Sequence, residues 1–298
     1  MFRLMSGRGE ITGRCNNISW DSDAAALGAQ VTFDSLYDIP EGEIISTVFD
    51  GKEDIRAIIV DKTANRYTYS YTALDFAHLL KNEVVKQFNA MPASEAIASL
   101  LSEYGVKCKC TSIPTLITKL YKESLSSILE DVLKQAAADQ GVEYVKEMQA
   151  DTLVIEKLAD RKIRPDLLIG SDISVESSVS EMVNRVVVVS GGEKNAVVQA
   201  VAEDAASIAR YGLRQMLHSV DDKDVSQAGN IAGNLLAQGC LVTHRATVLA
   251  LAVSGGQTVK ANRLISLHAG KLNGWYRIRS ASHSLAEGKH KISMEVEW

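Results

Sequence analysis

The sequence lacks the features that identify secreted, membrane-spanning or nucleic-acid-binding proteins. It has only four cysteines, and its 32 basic and 37 acidic residues give a formal net charge of −5. Scattered cysteines do not predict a disulfide framework, and a general nucleic-acid-binding protein normally carries a basic patch or a high pI. No apolar run is long enough to cross a bilayer, and the first residues lack the apolar core of a signal peptide. We therefore expect a cytoplasmic protein without stable membrane insertion.

Motifs for catalysis and cofactor binding are also missing. There is no Gly-x-Ser-x-Gly elbow, no phosphate loop ending in Gly-Lys-Ser/Thr and no His-Glu-x-x-His. Cys108 and Cys110 lack the gap of a zinc knuckle, and their spacing is typical of two residues on one face of a strand. The carboxylates available to a hydrolase are Glu103, Glu130, Asp131 and Glu143. Solvation on a surface explains these adequately, so we expect no enzyme activity, catalytic residue, metal or cofactor.

Two hairpins near opposite ends of the chain share one pattern. In the first, Gly51 and Lys52 precede the apolar run 55–60, and the alternating segment 67–73 follows. In the second, Gly270 and Lys271 precede residues 275–279, and the alternating segment 291–298 follows. Alternation with a period of two is typical of half-buried antiparallel strands. The pattern predicts one fold unit used twice, with chance similarity of two hairpins as the alternative.

The remaining patterns divide the chain into three predicted domains. Residues 1–88 are expected to form a β domain closed by a short helix, and residues 89–165 an α/β module. Residues 166–298 are expected to form a second β domain with a helical insertion around 204–238. The predicted fold class is therefore α+β and β-rich, with two antiparallel barrels or sandwiches and an inserted small α/β module.

The last predicted helix covers residues 224–238, with Asp224 as its N-terminal cap. Gly229 and Gly233 lie four residues apart on it. They are either a flat strip for close packing, including packing between subunits, or a pair tolerated in a helix that tertiary contacts hold.

Two segments of the C-terminal half resemble signatures of a phage tail family. Segment 178–186 contains Met182-Val183-Asn184-Arg185-Val186, and segment 204–215 contains Arg210-Tyr211. Further matches lie at residues 18–20, 71–75 and 294–298. By their order and spacing, these segments are similar to the baseplate hub proteins of contractile phage tails and R-type bacteriocins. That family includes the late-control D proteins and the hub proteins of defective prophages in Gram-positive bacteria.

The resemblance implies a homotrimer whose subunits each carry two tube-protein-like β domains. Such a pseudo-sixfold ring joins the hexameric tail tube to the trimeric spike. The implied partners are the tail tube protein and the central spike protein, with the C-terminus of the tape-measure protein as a further candidate and without direct nucleic-acid binding. The implied location is the bacterial host cytoplasm during assembly, then the baseplate of a virion, prophage-derived particle or tailocin. The sequence departs from the family before its first strand, where a longer strand-rich lead-in is expected.

Contacts between subunits are expected from strand edges and aromatic surfaces. The candidate interface residues are Tyr67, Tyr69, Tyr71, Asn184, Arg185, Arg210, Tyr211 and Trp298. We expect a strand of each tube-like domain to continue a sheet into the next domain, so that the ring has no exposed edge. The alternatives are a tail-associated peptidoglycan hydrolase or peptidase, and a scaffold or chaperone for tail assembly.

Overall fold

Antiparallel strands with alternating burial make up most of the molecule. The computed structural model describes residues 1–170, 173–191 and 195–298, apart from the side chains of 222–224. The first strands are β1 (Phe2–Ser6), β2 (Gly9–Glu10), β3 (Cys15–Asp23), β4 (Gln30–Ser35), β5 (Ile44–Phe49), β6 (Lys52–Ala64) and β7 (Tyr69–Asp75). Val31 lies opposite Ala73 and Phe33 opposite Tyr71, and all four are buried. These strands form what we call the first β unit. A 3-10 helix at Phe76–Lys81 follows it, at the place where the sequence predicts a short closing helix.

The C-terminal strands form a second β unit with a core of its own. They are β13 (Lys162–Ile163), β14 (Asp166–Ile169), β15 (Val175–Ser178), β19 (Thr243–Ser254), β20 (Arg263–Ala269), β21 (Leu272–Ala286) and β22 (Lys289–Glu297). Val248, Ile278 and Val296 are fully buried there. Gly51 and Gly270 have φ angles of 81° and 56° at the turns that open the two hairpins, a conformation that favours glycine.

The two β units have the same strand order. In the first unit the order is β4-β7-β6-β5, and in the second it is β19-β22-β21-β20. All of these neighbours are antiparallel. On the outer side β3 pairs with β4, and β14 and β15 pair with β19. The structure therefore confirms the repeated hairpin pattern and extends it to a whole sheet.

The first α/β module, residues 83–157, lies between the β units in sequence. Its elements are β8 (Glu83–Pro92), α1 (Ala93–Glu103), β9 (Lys107–Cys110), β10 (Leu116–Ser124), α2 (Leu125–Gln140), β11 (Tyr144–Gln149) and β12 (Thr152–Lys157). The Ser124 hydroxyl accepts the Ser127 N–H at the start of α2, and Gly141 ends the helix in the left-handed region. Cys108 and Cys110 both pack against the module's core, as their spacing predicted.

A second α/β module, residues 185–239, interrupts the second β unit. Its elements are β16 (Arg185–Ser190), β17 (Val197–Glu203), α3 (Ala205–Tyr211), β18 (Gln215–Val220) and α4 (Ala228–Gly239). The central strand β16 is antiparallel to β17 and parallel to β18. Val186 and Val188 share a core with Ala228, Ile231 and Ala232 of α4. The sequence pattern indicated an insertion here but not a sheet with its own core.

Helix α4 starts later than the sequence predicted. Residues Asp222–Gln227 form a 3-10 helix, and α4 begins at Ala228. The predicted cap falls on Asp224, whose side chain lies outside the described residues. A Cβ atom at Gly229 or Gly233 would meet nothing within 4 Å, so neither glycine serves close packing inside the subunit.

The two α/β modules are tied together where α4 meets the end of α2. Asn234 Nδ2 donates to the carbonyls of Ala138 (2.9 Å) and Asp139 (3.2 Å). Asn230 Nδ2 donates to the Asp139 carbonyl at 3.0 Å. Carbonyls in the last turn of a helix have no partner within that helix. Side chains of α4 therefore cap α2.

Candidate assembly interface

The two β units of the subunit are joined edge to edge by pairing between β3 and β21. The register runs antiparallel from Asp23 opposite Ser280 to Ile18 opposite Leu285. This pairing makes both units part of one fourteen-stranded sheet. We call the contact between β3 and β21 the internal junction.

An aromatic cluster packs at the internal junction. Trp20 stacks on His283 with ring centroids 4.8 Å apart and an interplanar angle of 6°, and His290 lies 5.2 Å from Trp20. Phe2 and Phe49 complete the cluster at 5.9 Å and 5.6 Å from Trp20. Trp20 and His283 are 3% and 2% exposed. Side chains of both β units thus bury a shared aromatic surface, which stabilises the junction.

Both histidines of the cluster are held neutral. His283 Nε2 lies 2.7 Å from the Val259 carbonyl and donates to it, so His283 Nδ1 accepts from His290 Nε2 at 2.9 Å. Burial, together with the smaller effect of the neighbouring His290, lowers the pKa of His283 to about 3. Burial also lowers the pKa of His290 to about 4. A positive charge at this site is therefore unfavourable.

A cluster of buried charges lies where the first α/β module meets both β units. Glu147 of β11 accepts from Arg263 Nη2 (2.5 Å) and Nε (3.0 Å) and also pairs with Arg161. Lys260 Nζ lies 2.7 Å from Asp54 Oδ1 and 3.9 Å from Glu147 Oε1. Burial lowers the pKa of Arg161 to about 10 and also lowers the pKa values of Lys260 and Arg263. No sequence pattern predicted this cluster, which fixes three parts of the subunit against one another.

The three candidate interface tyrosines have different environments. Tyr71 is 2% exposed, and its hydroxyl donates to the Tyr37 carbonyl and accepts the Ile39 N–H, both at 2.8 Å. Tyr69 is half-buried at the edge of the first core, and Tyr67 is 74% exposed between β6 and β7. Tyr71 is therefore corrected to a core residue, whereas Tyr67 and Tyr69 stay predicted interface residues.

Asn184 also belongs to the interior, whereas its neighbour Arg185 reaches the surface. Asn184 is fully buried, donates to the Gly212 carbonyl (2.8 Å) and accepts the Arg214 N–H (2.7 Å). It thereby ties the start of β16 to the loop between α3 and β18, and its expected interface role is corrected to a structural one. Arg185 Nε lies 3.4 Å from Oε2 of Glu203, which lies on the neighbouring strand β17. An interface role for Arg185 stays a prediction.

The last three candidate interface residues are accessible but lie in different parts of the fold. The Arg210 guanidinium lies 5.0 Å from the ring centre of Tyr211, in the second α/β module. Trp298 lies beside the second β unit, 42% exposed, with its ring 4.8 Å from Tyr276 and 5.4 Å from His244. The interface role of these three residues stays a prediction.

An apolar surface that sequence reasoning missed is the face of the second α/β module opposite α4. Val198, Val201 and Leu217 are 59%, 46% and 66% exposed there. Val187 of the central strand lies between Val201 and Leu217 in the pairing register. The β-branched runs predicted strands, but an unbroken apolar run does not show which face is covered.

The carboxylates considered for catalysis are all paired with cations. The pairs are Glu103–Lys86 (2.5 Å), Glu130–Lys146 (2.9 Å), Asp131–Lys119 (2.9 Å) and Glu143–Arg277 (2.8 Å). Burial raises the pKa of Asp131, but hydrogen bonds from Tyr121 and Lys119 outweigh it and hold that pKa below its ordinary value. A glycosidase acid needs the opposite shift. Among the described residues, no group of three or more His, Cys, Asp or Glu side chains could hold a metal ion.

In the described ranges no helix combines the length and the apolar character that crossing a membrane requires.

Comparison with known proteins places the chain in a family. Residues 18–297 match the model of the YQBQ-like family. The chain belongs to that family. Among its relatives, the phage-like element PBSX protein XkdQ of Bacillus subtilis (strain 168) is 25% identical over 203 residues, which cover 65% of this chain and 62% of XkdQ. This YQBQ-like chain thus covers less than two thirds of the length of XkdQ.

Solved tail proteins have the same fold. The tail protein from Neisseria meningitidis MC58 matches with a TM-score of 0.71 at 15% identity, covering all of this chain and 96% of that one. The 43 kDa tail protein of prophage MuSo2 from Shewanella oneidensis matches with a TM-score of 0.69 at 14% identity, covering 99% and 97%. Together with the family match, these likenesses confirm the resemblance to phage tail proteins and the β-rich fold class.

Proposed function

We propose that this YQBQ-like chain is a structural baseplate hub subunit of a contractile phage tail or phage-tail-like particle. Three copies form a pseudo-sixfold ring that joins the hexameric tail tube to the trimeric spike. The observation that carries this proposal is the repeated strand order of the two β units within one continuous sheet.

Two similar units in one chain allow a threefold assembly to present six similar surfaces. Each β unit can meet one subunit of a sixfold tube, while the parts that occur once per chain keep threefold symmetry for the spike. Head-to-tail contacts between copies form a ring when the rotation closes. A closed sheet also removes the strand edges that an isolated subunit exposes.

The partners we propose are the tail tube protein, the central spike protein and the C-terminus of the tape-measure protein. The relative XkdQ is a protein of a phage-like element, which supports a place in a prophage-derived particle or virion after assembly in the bacterial cytoplasm. The cation partners of the four candidate carboxylates support a structural role over hydrolysis of peptidoglycan.

Mass measurement combined with particle imaging tests the ring. Analytical ultracentrifugation over a wide concentration range should detect a species of three times the 32.3 kDa subunit mass. Electron microscopy of that species should show a ring with six similar lobes, and addition of tube protein should increase its population. A species that keeps the mass of one subunit at high concentration, with tube protein present, would contradict the proposal.

Incubation with purified cell walls tests the catalytic alternative separately. We expect the turbidity of the suspension to stay constant. Turbidity loss that disappears in the Asp131→Asn variant would favour a hydrolase.

A further inference from the structure

Among the strand edges that no described strand of the subunit covers are those of β6 and β15. β5 pairs with β6 only as far as Ile58, and the Ile59 main chain bonds to the loop before β5. This leaves the outer edge of β6 free at residues 61–64 within the described chain. β15 pairs with β19 alone among the described strands. Uncovered edges of this kind present main-chain donors and acceptors to other chains.

We infer that β15 of a second copy pairs antiparallel with the free edge of β6, in the register that β3 adopts on β21. This inference rests on the proposed ring and specifies the contact that closes it. The internal junction is the template, because it already joins one β unit to the other in the same way.

β6 and β21 correspond residue by residue because both carry a β-bulge at the same place. The register of β6 with β7 shifts between Ile59 and Asp61, and the register of β21 with β22 shifts between Ile278 and Ser280. Ile59 and Ile278, just before the bulge, are 1% and 0% exposed. Asp61 therefore corresponds to Ser280, and the residues after them correspond in order.

β3 and β15 correspond through the strands that they pair with inside their own units. Trp20 lies opposite Val31 on β4, and Val175 lies opposite Ala246 on β19. Val31 and Ala246 occupy equivalent positions in their units. Each pairs with a residue of the next strand, and that residue pairs in turn with the isoleucine just before the bulge, Ile59 in the first unit and Ile278 in the second. Trp20 therefore corresponds to Val175.

These correspondences fix the register between copies. Inside the subunit the pairs are Asp23–Ser280, Ser22–Ala281, Asp21–Ser282 and Trp20–His283. Between copies the corresponding pairs are Ser178–Asp61, Ser177–Lys62, Glu176–Thr63 and Val175–Ala64, with the first residue of each pair on β15 of the second copy. Each copy uses one edge on each side, so the contact is head-to-tail.

Side-chain exposure at the β6 edge is that of a strand whose neighbour is missing. Ala281 and His283 are 1% and 2% exposed at the internal junction. Their counterparts Lys62 and Ala64 are half-buried and exposed. Because the two strands have the same position in their units, a strand added beside β6 accounts for the difference.

The charges on the two edges are compatible with this register. Lys62 lies opposite Ser177, and Glu176 lies opposite Thr63. Like charges directly opposite each other destabilise an antiparallel pair, and none occurs in the four pairs.

Disulfide cross-linking between copies tests the register with four cysteine substitutions combined in two ways. The matched combinations are Lys62→Cys with Ser177→Cys and Thr63→Cys with Glu176→Cys. The mismatched combinations, Lys62→Cys with Glu176→Cys and Thr63→Cys with Ser177→Cys, use the same substitutions one residue out of register. Directly opposite Cα atoms lie about 4.5–5.5 Å apart, within reach of a disulfide. A slip of one residue turns the side chain to the other face, so we expect at least ~10-fold more covalent dimer and trimer from the matched combinations.

Sedimentation of the same samples before oxidation separates failure of the register from failure of the ring. Trimers that cross-link equally in both sets, or in neither, overturn the register and leave the ring standing. Protein that stays monomeric and forms no cross-link overturns the ring together with the contact. The parent chain, with its four partly buried free cysteines, gives the background of cross-linking.

Discussion

Trp20 of β3 and His283 of β21 stack face to face, with ring centroids 4.8 Å apart. They belong to different β units and lie opposite each other in the pairing register. Main-chain hydrogen bonds hold the strands together, and this pair of side chains forms the centre of the aromatic cluster that substitution can change.

Trp20→Ala is expected to lower the free energy of unfolding by about 3–5 kcal/mol, because it removes a large buried side chain from the junction. Urea denaturation followed by circular dichroism measures the loss. Trp275→Ala is the matched control, since Trp275 is only partly buried beside Lys162 and Arg164. The control should lose about 1 kcal/mol, and equal losses would show that Trp20 does not anchor the junction.

Acidification is expected to destabilise the folded subunit through His283. Its folded pKa is about 3, whereas a histidine of the unfolded chain titrates near ~6.5. Between these values the unfolded state binds a proton that the folded state does not. Stability is therefore retained above about pH 6.5 and lost as the pH falls towards 3, by about 2 kcal/mol at pH 5 for one such histidine. Urea unfolding at pH 7 and pH 5 measures the change.

His283→Gln is expected to remove about half of the pH dependence, because His290, with a folded pKa of about 4, contributes a loss of similar size. His268→Gln, at an exposed histidine, should leave the pH dependence unchanged. Burial raises the folded pKa of Asp75 to about 6, so Asp75 acts with the opposite sign. Its contribution to the stability of the fold decreases as the pH rises from the ordinary aspartate pKa towards 6. Both variants retain Asp75, and comparison with the parent isolates the histidine. An unaltered pH profile in His283→Gln would show that this imidazole does not control the loss.

Glu147→Gln is expected to cost about 3–5 kcal/mol of stability, because it leaves Arg161 and Arg263 buried without their shared anion. Thermal and urea unfolding measure the effect. Glu130→Gln, which removes the more exposed pair with Lys146, should cost under ~1 kcal/mol. A small loss for Glu147→Gln would mean that water or other acids compensate the two guanidinium groups.

Asn184→Ala is expected to cost about 2–4 kcal/mol, because each buried polar group left without a partner costs about 1–3 kcal/mol. The two groups are the Gly212 carbonyl and the Arg214 N–H. Hydrogen exchange should speed up locally, in residues 205–220. Asn230→Ala, at an exposed asparagine, is the control. Exchange that speeds up equally in the β units would contradict a local role for Asn184.

Local patterns predicted the hairpins because period-two alternation reports directly which residues a half-buried strand hides. For Tyr71 the same alternation grouped the correct residues on one face. It could not show that this face is the core of the subunit and not a contact surface. Aromatic residues suit both environments.

Asn184 illustrates a second limit. Its segment was recognised through family resemblance, but a polar residue beside an apolar run reads as surface. Only the fold shows that its amide satisfies two main-chain groups in a loop 28 and 30 residues further along the chain.

The internal junction and the buried charge cluster could not be predicted for a different reason. Pairing between β3 and β21 is made by the main chain and leaves no residue pattern. Glu147, Lys260 and Asp54 lie far apart in sequence, and each alone has the character of a solvated charge. Their partners exist only once the three parts of the fold have come together.

The capping of α2 by Asn230 and Asn234 joins the two α/β modules, in addition to the strand pairing and the buried charge cluster that hold the β units together. Rotation of one half of the subunit against the other would therefore have to disrupt a helix contact as well as paired strands.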